Sequence, residues 1–398
     1  MSNLNESSLR RYDFDEIIER KGTHCVKHDG MVRYYGSNDL LPMWVADMDF
    51  RTPDFVMEAI RERCCHEVLG YAVASEAYYE TMIRWLADHY AVTAQRDELH
   101  FIPGIVAGIA FALQTFTQPG DSILVMNPVY PPFLNLPMGG GRKLSCSALK
   151  IEQGRFAIDY DDLDRKAAGC KMMILSNPHN PGGTVWSADD LRRIAQICTR
   201  HRLVVIADEI HADLTLPPHR HTSFSTVSEE ARNCSITFIA PSKTFNIAGL
   251  GSSLSYVYSE TLRERFYGFL NAYEVANGNV FAFVGAEAAF RYGEDWLRQL
   301  KDYLVGNVLT LKEFLAAELP QVNHILPEAS FLPWLDFSAY GYSHSELAQR
   351  FIERGRVALN DGTTFGGSRY EGCFRINIGC PRARLREALQ RIEQSLMG

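Results

Sequence analysis

The chain of 398 residues has no long uninterrupted apolar run. Its longest apolar stretch, Phe101 to Phe116, is broken by Pro103, Gly104 and Gly108 and turns polar at Gln114. That is too short to span a bilayer and reads as a buried helix. The opening MSNLNESSLRR lacks the apolar core of a secretory signal, so a cytoplasmic protein is expected. Cysteine occurs nine times, an odd count with no CxxC pair and no regular spacing. Reduced thiols fit this better than a disulfide framework. Excess positive charge is missing as well. The net charge is −8, which gives no electrostatic reason to expect nucleic acid or an anionic membrane as partner. Metal-ligand spacing is lacking too: His24/His28 and His219/His221 have no Cys or acidic partners at ligand spacing. Both pairs read as surface histidines, and no metal is expected.

What is present is a composition that is 46% hydrophobic, ample for a large core without disulfides or metals. The length suggests two or three domains. Short apolar strand candidates alternate with amphipathic helix candidates through the middle of the chain. The strands are read at Ser122–Met126, Lys171–Ser176, Leu203–Ala207 and Ser235–Ala240. Ser187 can cap a helix to His201 with Leu191, Ile194, Ala195 and Cys198 as its apolar stripe. Val- and Ile-rich strands without clean alternation predict a sheet covered on both faces, hence mostly parallel. After about residue 290 the pattern changes to a long helix (Trp296–Leu315), strands near Phe331–Phe337 and Cys373–Ile378, and a last helix from Pro381. This predicts a large domain over 51–290 and a smaller α+β domain made of 1–50 and 291–398. Asp159–Asp164 reads as a solvated turn and helix start, and Cys64-Cys65 as core packing on an amphipathic helix.

Ligands of open α/β sheets lie beyond the carboxyl ends of the strands, so polar groups at the exits of apolar runs are the candidates. RLVVIA ends in Asp208-Glu209-Ile210-His211. A carboxylate there suits a protonated ring nitrogen such as the pyridinium of pyridoxal phosphate (PLP), although a lone Asp more often caps a turn. ITFIA ends in Pro241-Ser242-Lys243. A lysine past a buried strand loses basicity readily, the condition for a Schiff-base amine, and Ser242 can donate to a phosphate. Taken alone, Lys243 reads better as a lysine reaching solvent. FIPGIVAG (101–108) reads as strand, turn and helix, with free amides at Ile105 and Val106 for a phosphate. SNPHNPGG (176–183) presents Asn180 on a turn that is either structural or aimed at a phenolic oxygen. Tyr130 offers a ring face for a flat heterocycle. The five together, in this order, form one coherent kit.

SNPHNPGG, VVIADEIH and APSKTFNIAGLG resemble, in order and spacing, the landmarks of the aspartate-aminotransferase superfamily, the fold-type I PLP enzymes. MWVADMDF (43–50), GYAVASEAYYETMIRWL (70–86), NPVYPPF (127–133), DEIHADL (208–214), PEASFLPWLDF (327–337) and FRINIGCPR (374–382) resemble its cystathionine β-lyase branch, which includes the maltose-regulon modulator type and related C–S lyases. The resemblance implies a PLP-dependent transferase-like fold with a mostly parallel seven-stranded sheet. It implies Lys243 as the Schiff-base lysine, Asp208 on the pyridine nitrogen, Asn180 and His211 near the phenolic oxygen, and Tyr130 on the ring. Ile105, Val106 and Ser242 would hold the phosphate, joined by Tyr71 from the neighbouring subunit of a homodimer. Arg375 would clamp the substrate α-carboxylate, in a pocket closed by the backbone at Val45 and Ala46.

Four features depart from the resemblance. His211 stands where most aminotransferases of the superfamily carry tyrosine, which favours the lyase branch. Gly251 replaces an arginine that many of them use for phosphate. Gly182 and Thr184 differ from the residues usual in the branch, and the GGG run at 139–141 is unusual. The implied activity is β-elimination from cystathionine or another S-substituted L-cysteine, giving thiol, pyruvate and ammonia. The alternative on the same scaffold is an aminotransferase or another PLP reaction at the α-carbon. A third reading is a regulatory protein that uses the fold to bind a transcription factor.

Overall fold

The computed structural model describes residues 10–397, so the first nine residues of the polar opening lie outside the described residues. Seven strands form one sheet, in spatial order Leu99–Ile102, Ser253–Tyr256, Ser235–Ile239, Val204–Asp208, Cys170–Ser176, Ser122–Asn127 and Lys143–Ala148. Only Ser253–Tyr256 runs against the others. The Val- and Ile-rich strands are buried along almost their whole length, as expected of a sheet with helices on both faces. Because six strands share a direction, their carboxyl ends open on the same edge. There Ser176 lies opposite Asp208, and Asp208 opposite Phe238.

The helices follow from local chemistry. Ser187 and Asp190 form a reciprocal capping box at the start of Ala188–Arg200, whose Leu191, Ile194, Ala195 and Cys198 are buried. Asp159 caps Tyr160–Ala167. Two strands went unread in the sequence because their composition is polar. Lys143–Ala148 (KLSCSA) lies at the sheet edge, and Ser253–Tyr256 (SLSY) buries two serines inside the sheet.

Past the helix Glu294–Glu318, a second sheet of four antiparallel strands holds Asn323–Ile325, Trp334–Asp336, Cys373–Arg375 and Asn360–Asp361. The chain closes with Arg382–Leu396. Near the N-terminus, Leu41–Pro42 pairs in parallel with Val357–Ala358, so the early chain folds onto the late one. Among the described residues no helix is long and apolar enough to cross a membrane.

Three surface and core expectations are corrected. Cys64 and Cys65 are exposed, because the helix Asp54–Cys64 buries only Val56 and ends at this pair. The His28 side chain is buried beside Asp49, and the His221 side chain is buried with its Nε2 3.1 Å from Glu209. A carboxylate supplied from elsewhere in the chain draws each imidazole inward.

Candidate active site

All four strand exits meet at one cavity of ≈ 140 Å³, lined among others by Ile105, Val106, Tyr130, Asn180, Asp208, His211, Ser242, Lys243 and Ala46. Lys243 sits in the short helix Pro241–Thr244 that follows strand Ser235–Ile239. Its Nζ donates to the Ala46 carbonyl at 2.5 Å. Burial pulls its pKa down to about 8, against the opposing pull of the Asp47 carboxylate. Asp208 closes strand Val204–Asp208 and accepts the Ile210 N–H at 3.0 Å. Burial pushes its pKa up to about 7. His211 is held neutral, its pKa pulled down to about 3 by burial and by the nearby Lys243 and Arg375 cations. Its Nδ1 is buried without a hydrogen-bond partner among the described residues.

Asn180 is fixed by three bonds. Its N–H donates to Ser176 Oγ at 3.1 Å, its carbonyl accepts the Tyr130 N–H at 3.0 Å, and its Oδ1 accepts Arg375 Nη1 at 2.9 Å. With Oδ1 engaged, the NH₂ end is left to donate into the cavity. Gly104 adopts φ 121° ahead of helix Ile105–Phe116, with no side chain capping the helix start. A Cβ on Gly104 would meet nothing within 4 Å. The free amides of Ile105 and Val106 therefore look onto open space beside Ser242, the setting an anion requires.

Arg375, at the end of strand Cys373–Arg375, is buried without a carboxylate partner among the described residues. Its guanidinium donates to Asn180 Oδ1, to Asn360 Oδ1 at 2.7 Å and to the Trp44 carbonyl at 3.1 Å, while Nε is buried unpaired. All three acceptors are neutral, so the cation lacks a counter-charge, and burial pulls its pKa down to about 10. Such a site selects an anionic ligand.

Residues near 45 line a neighbouring cavity of ≈ 730 Å³ that shares Ala46 and Lys243 with the first. Val45 lies there rather than in the smaller cavity. Five consecutive carbonyls of this strap receive side-chain donors. Trp44 is held by Arg375, Val45 by Asn377, Ala46 by Lys243, Asp47 by Asn377 and Lys27, and Met48 by Arg20 and Asn246. Tyr71 is apart from both cavities and fully exposed.

Sequence reasoning missed Ser176, Asn377 and Asp47. Asn377 was legible in principle, since it follows Arg375 by two residues in the run FRINI, the spacing that puts side chains on one face of an extended segment.

This donor set fits PLP. A buried carboxylate suits a protonated ring nitrogen, a poorly hydrated amine suits an aldehyde, and the open helix start suits a phosphate. The comparisons agree. Residues 38–392 match the profile of the family described as "Aminotransferase class I and II". The chain is 40% identical over 386 residues to cystathionine beta-lyase PatB of Bacillus subtilis, covering 96% of this chain and 100% of that one. It is similar to the crystal structure of cystalysin from Treponema denticola, which contains a pyridoxal 5'-phosphate cofactor, with TM-score 0.93 and 31% identity. That match covers 97% of this chain and 99% of cystalysin. It is also similar to the PLP-bound C-S lyase of Staphylococcus hominis, with TM-score 0.91 and 34% identity over 98% of this chain and 99% of that one. The sheet order, the helix-start cradle and the whole-length matches lead to one conclusion: the chain belongs to the class I and II aminotransferase family and has the fold of the PLP-dependent transferases.

Proposed function

We propose that the chain is a PLP-dependent carbon–sulfur β-lyase acting on cystathionine or another S-substituted L-cysteine, giving a thiol, pyruvate and ammonia. The observation that carries this reading is the buried Arg375 cation without a carboxylate partner, beside a depressed lysine and a buried aspartate. The relatives supply the reaction class, since PatB is named a cystathionine beta-lyase and the Staphylococcus hominis structure a C-S lyase.

Bound here, PLP supplies an electron sink for the substrate's α-carbon. Lys243 would hold the cofactor through Nζ, and the same nitrogen as a free amine would take the α-proton. Asp208 would keep the ring nitrogen protonated. Asn180 would donate its NH₂ to the phenolic oxygen, with neutral His211 beside it, and Tyr130 would cover the ring face. Ile105 and Val106 amides and the Ser242 hydroxyl would hold the phosphate. Arg375 binds the substrate α-carboxylate, and the backbone at Val45 and Ala46 closes the pocket over it. The larger neighbouring cavity, which shares Ala46 and Lys243 with the first, would give the β-thiolate room to leave, and water would then hydrolyse the remaining enamine to pyruvate and ammonia.

In this reading 51–290 form the cofactor-binding domain and 1–50 with 291–398 the small domain of a cytoplasmic homodimer. Tyr71 reaches the phosphate of the neighbouring subunit. Its support is that Tyr71 is 112% exposed in the single chain and flanked by exposed Val68, Leu69 and Val73. The decisive experiment is incubation of the PLP-loaded protein with cystathionine. Pyruvate and free thiol without an added keto acid support the lyase, whereas turnover only with a keto acid overturns it in favour of transamination.

A further inference from the structure

A second large cavity, of ≈ 890 Å³, shares no residue with the one around Lys243. Its floor includes Asp213, whose carboxylate accepts Trp85 Nε1 at 2.9 Å, the Tyr90 hydroxyl, and Thr244 Oγ1 at 2.8 Å. That carboxylate is therefore saturated from within the protein. The walls carry Arg84, Arg220, Arg291 and Lys301 against Asp88 and Glu294. Arg291 is engaged by Glu287 at 2.8 Å, and Glu294 by His89 at 3.0 Å. This leaves Lys301, Arg84 and Arg220 outside those ion pairs, with Asp88 the exposed carboxylate that no neighbour engages among the described residues.

Lys301 is the unusual member. On the helix Glu294–Glu318 its neighbours at −4, −1 and +3 are Leu297, Leu300 and Leu304, all buried. Helical spacing puts Lys301 on that same inward face. It is half-buried, and among the described residues no carboxylate lies within ion-pairing distance of its amine. Burial lowers its pKa, opposed by the fields of Asp213 and Glu294. An ammonium drawn from water without a partner costs stability, which an apolar side chain on this leucine face would avoid. The Asp213 and Glu294 carboxylates act on it only at a distance, and an anionic occupant of the cavity supplies the direct ion pair that Lys301 lacks. Lys301 would act as a point charge, and the two arginines as planar forks for oxygen pairs.

We propose that this cavity is a second ligand site, taking a small multiply charged oxyanion, a phosphate ester or a dicarboxylate, on Lys301, Arg84 and Arg220. The test is calorimetric titration of the PLP-loaded holoenzyme, whose own phosphate cradle is filled, with pyrophosphate in one arm and succinate in the other. Saturable binding of at least one probe, one per chain, is expected, and the arm that binds identifies the source of the charge. Lys301→Met and Arg84→Gln are each expected to weaken it at least tenfold while the cofactor absorbance and lyase turnover stay unchanged. The bound anion should raise the Tm of the native protein and leave that of Lys301→Met unmoved. Arg84 and Arg220 are exposed, so Arg84→Gln and Arg220→Gln keep the test decisive if Lys301→Met folds poorly. Absence of saturable binding in both arms overturns the proposal. So does binding that survives all three variants, since it would then lie at Arg375 or elsewhere.

Discussion

Arg375 Nη1 donates to Asn180 Oδ1 at 2.9 Å, joining the four-stranded sheet to the loop that leaves strand Cys170–Ser176. One bond thus sets two groups at once: the guanidinium we assign to the substrate carboxylate and the amide we assign to the cofactor oxygen. Replacing Arg375 with Ala should lower kcat/KM by about 30- to 1,000-fold, the equivalent of ~2–4 kcal/mol for a buried charged contact. Arg375→Lys should recover little, since an ammonium cannot reproduce the fork onto Asn180, Asn360 and the substrate. Steady-state kinetics check this. Unchanged kcat/KM in Arg375→Ala would remove the carboxylate clamp from the mechanism.

Lys243 is the group on which the cofactor assignment turns. Lys243→Ala should lose the visible absorbance of the covalently held cofactor and reduce kcat by about 10²- to 10⁴-fold, the range for a positioned proton-transfer group. Spectra recorded with added PLP check it. A variant that keeps the native band would place the linkage on another amine.

Much of this centre was legible because buried strands advertise themselves. VVIA has no polar residue and ITFIA only the small hydroxyl of Thr237, so Asp208, Ser242 and Lys243 stand out as the first polar groups past each exit. Arg375 was legible for the same reason inside CFRINI. The strap and its anchors were not. Lys27, fully buried, pairs with Asp49 at 3.0 Å, and Arg384 joins the same carboxylate at 3.2 Å. A buried lysine is tolerable only when its partner is known, and here the partners lie 22 and more than 300 residues apart in the chain. Local periodicity carries no record of such pairings. The polar strands Lys143–Ala148 and Ser253–Tyr256 were hidden by the converse effect, because backbone pairing with neighbours compensates for a composition that reads as loop.

Asn377 anchors the strap through donations to the Val45 and Asp47 carbonyls, and its own Oδ1 accepts the Gly379 N–H at 2.7 Å. Asn377→Ala should destabilise the protein by about 1–3 kcal/mol, the cost of stranding partly buried polar groups. It should also raise KM more than it lowers kcat, because the pocket wall beside Arg375 loosens while Lys243 keeps its strand exit. Chemical denaturation and steady-state kinetics measure the two effects. A fall in kcat alone would show that Asn377 serves the chemical step instead.

Asp208 couples function to stability with a definite sign. Its pKa in the folded apoprotein is pushed up to about 7, above the value in an unfolded chain, because burial disfavours the carboxylate. The folded state therefore binds the proton more tightly than the unfolded one. This contribution is fully present below the unfolded pKa and is lost as pH rises through about 7. The ionised carboxylate that the cofactor nitrogen needs is thus a burden on the apoprotein at pH 8, of at most about 4 kcal/mol. Asp208→Asn removes the titration. The apo variant should gain on the native apoprotein as pH rises from 5 to 8, while the PLP-loaded variant loses turnover at every pH. Paired denaturation curves of the two apoproteins across that window test the claim. A stability difference independent of pH would mean that Asp208 is already ionised without cost, and that some other cation in the cavity holds its charge.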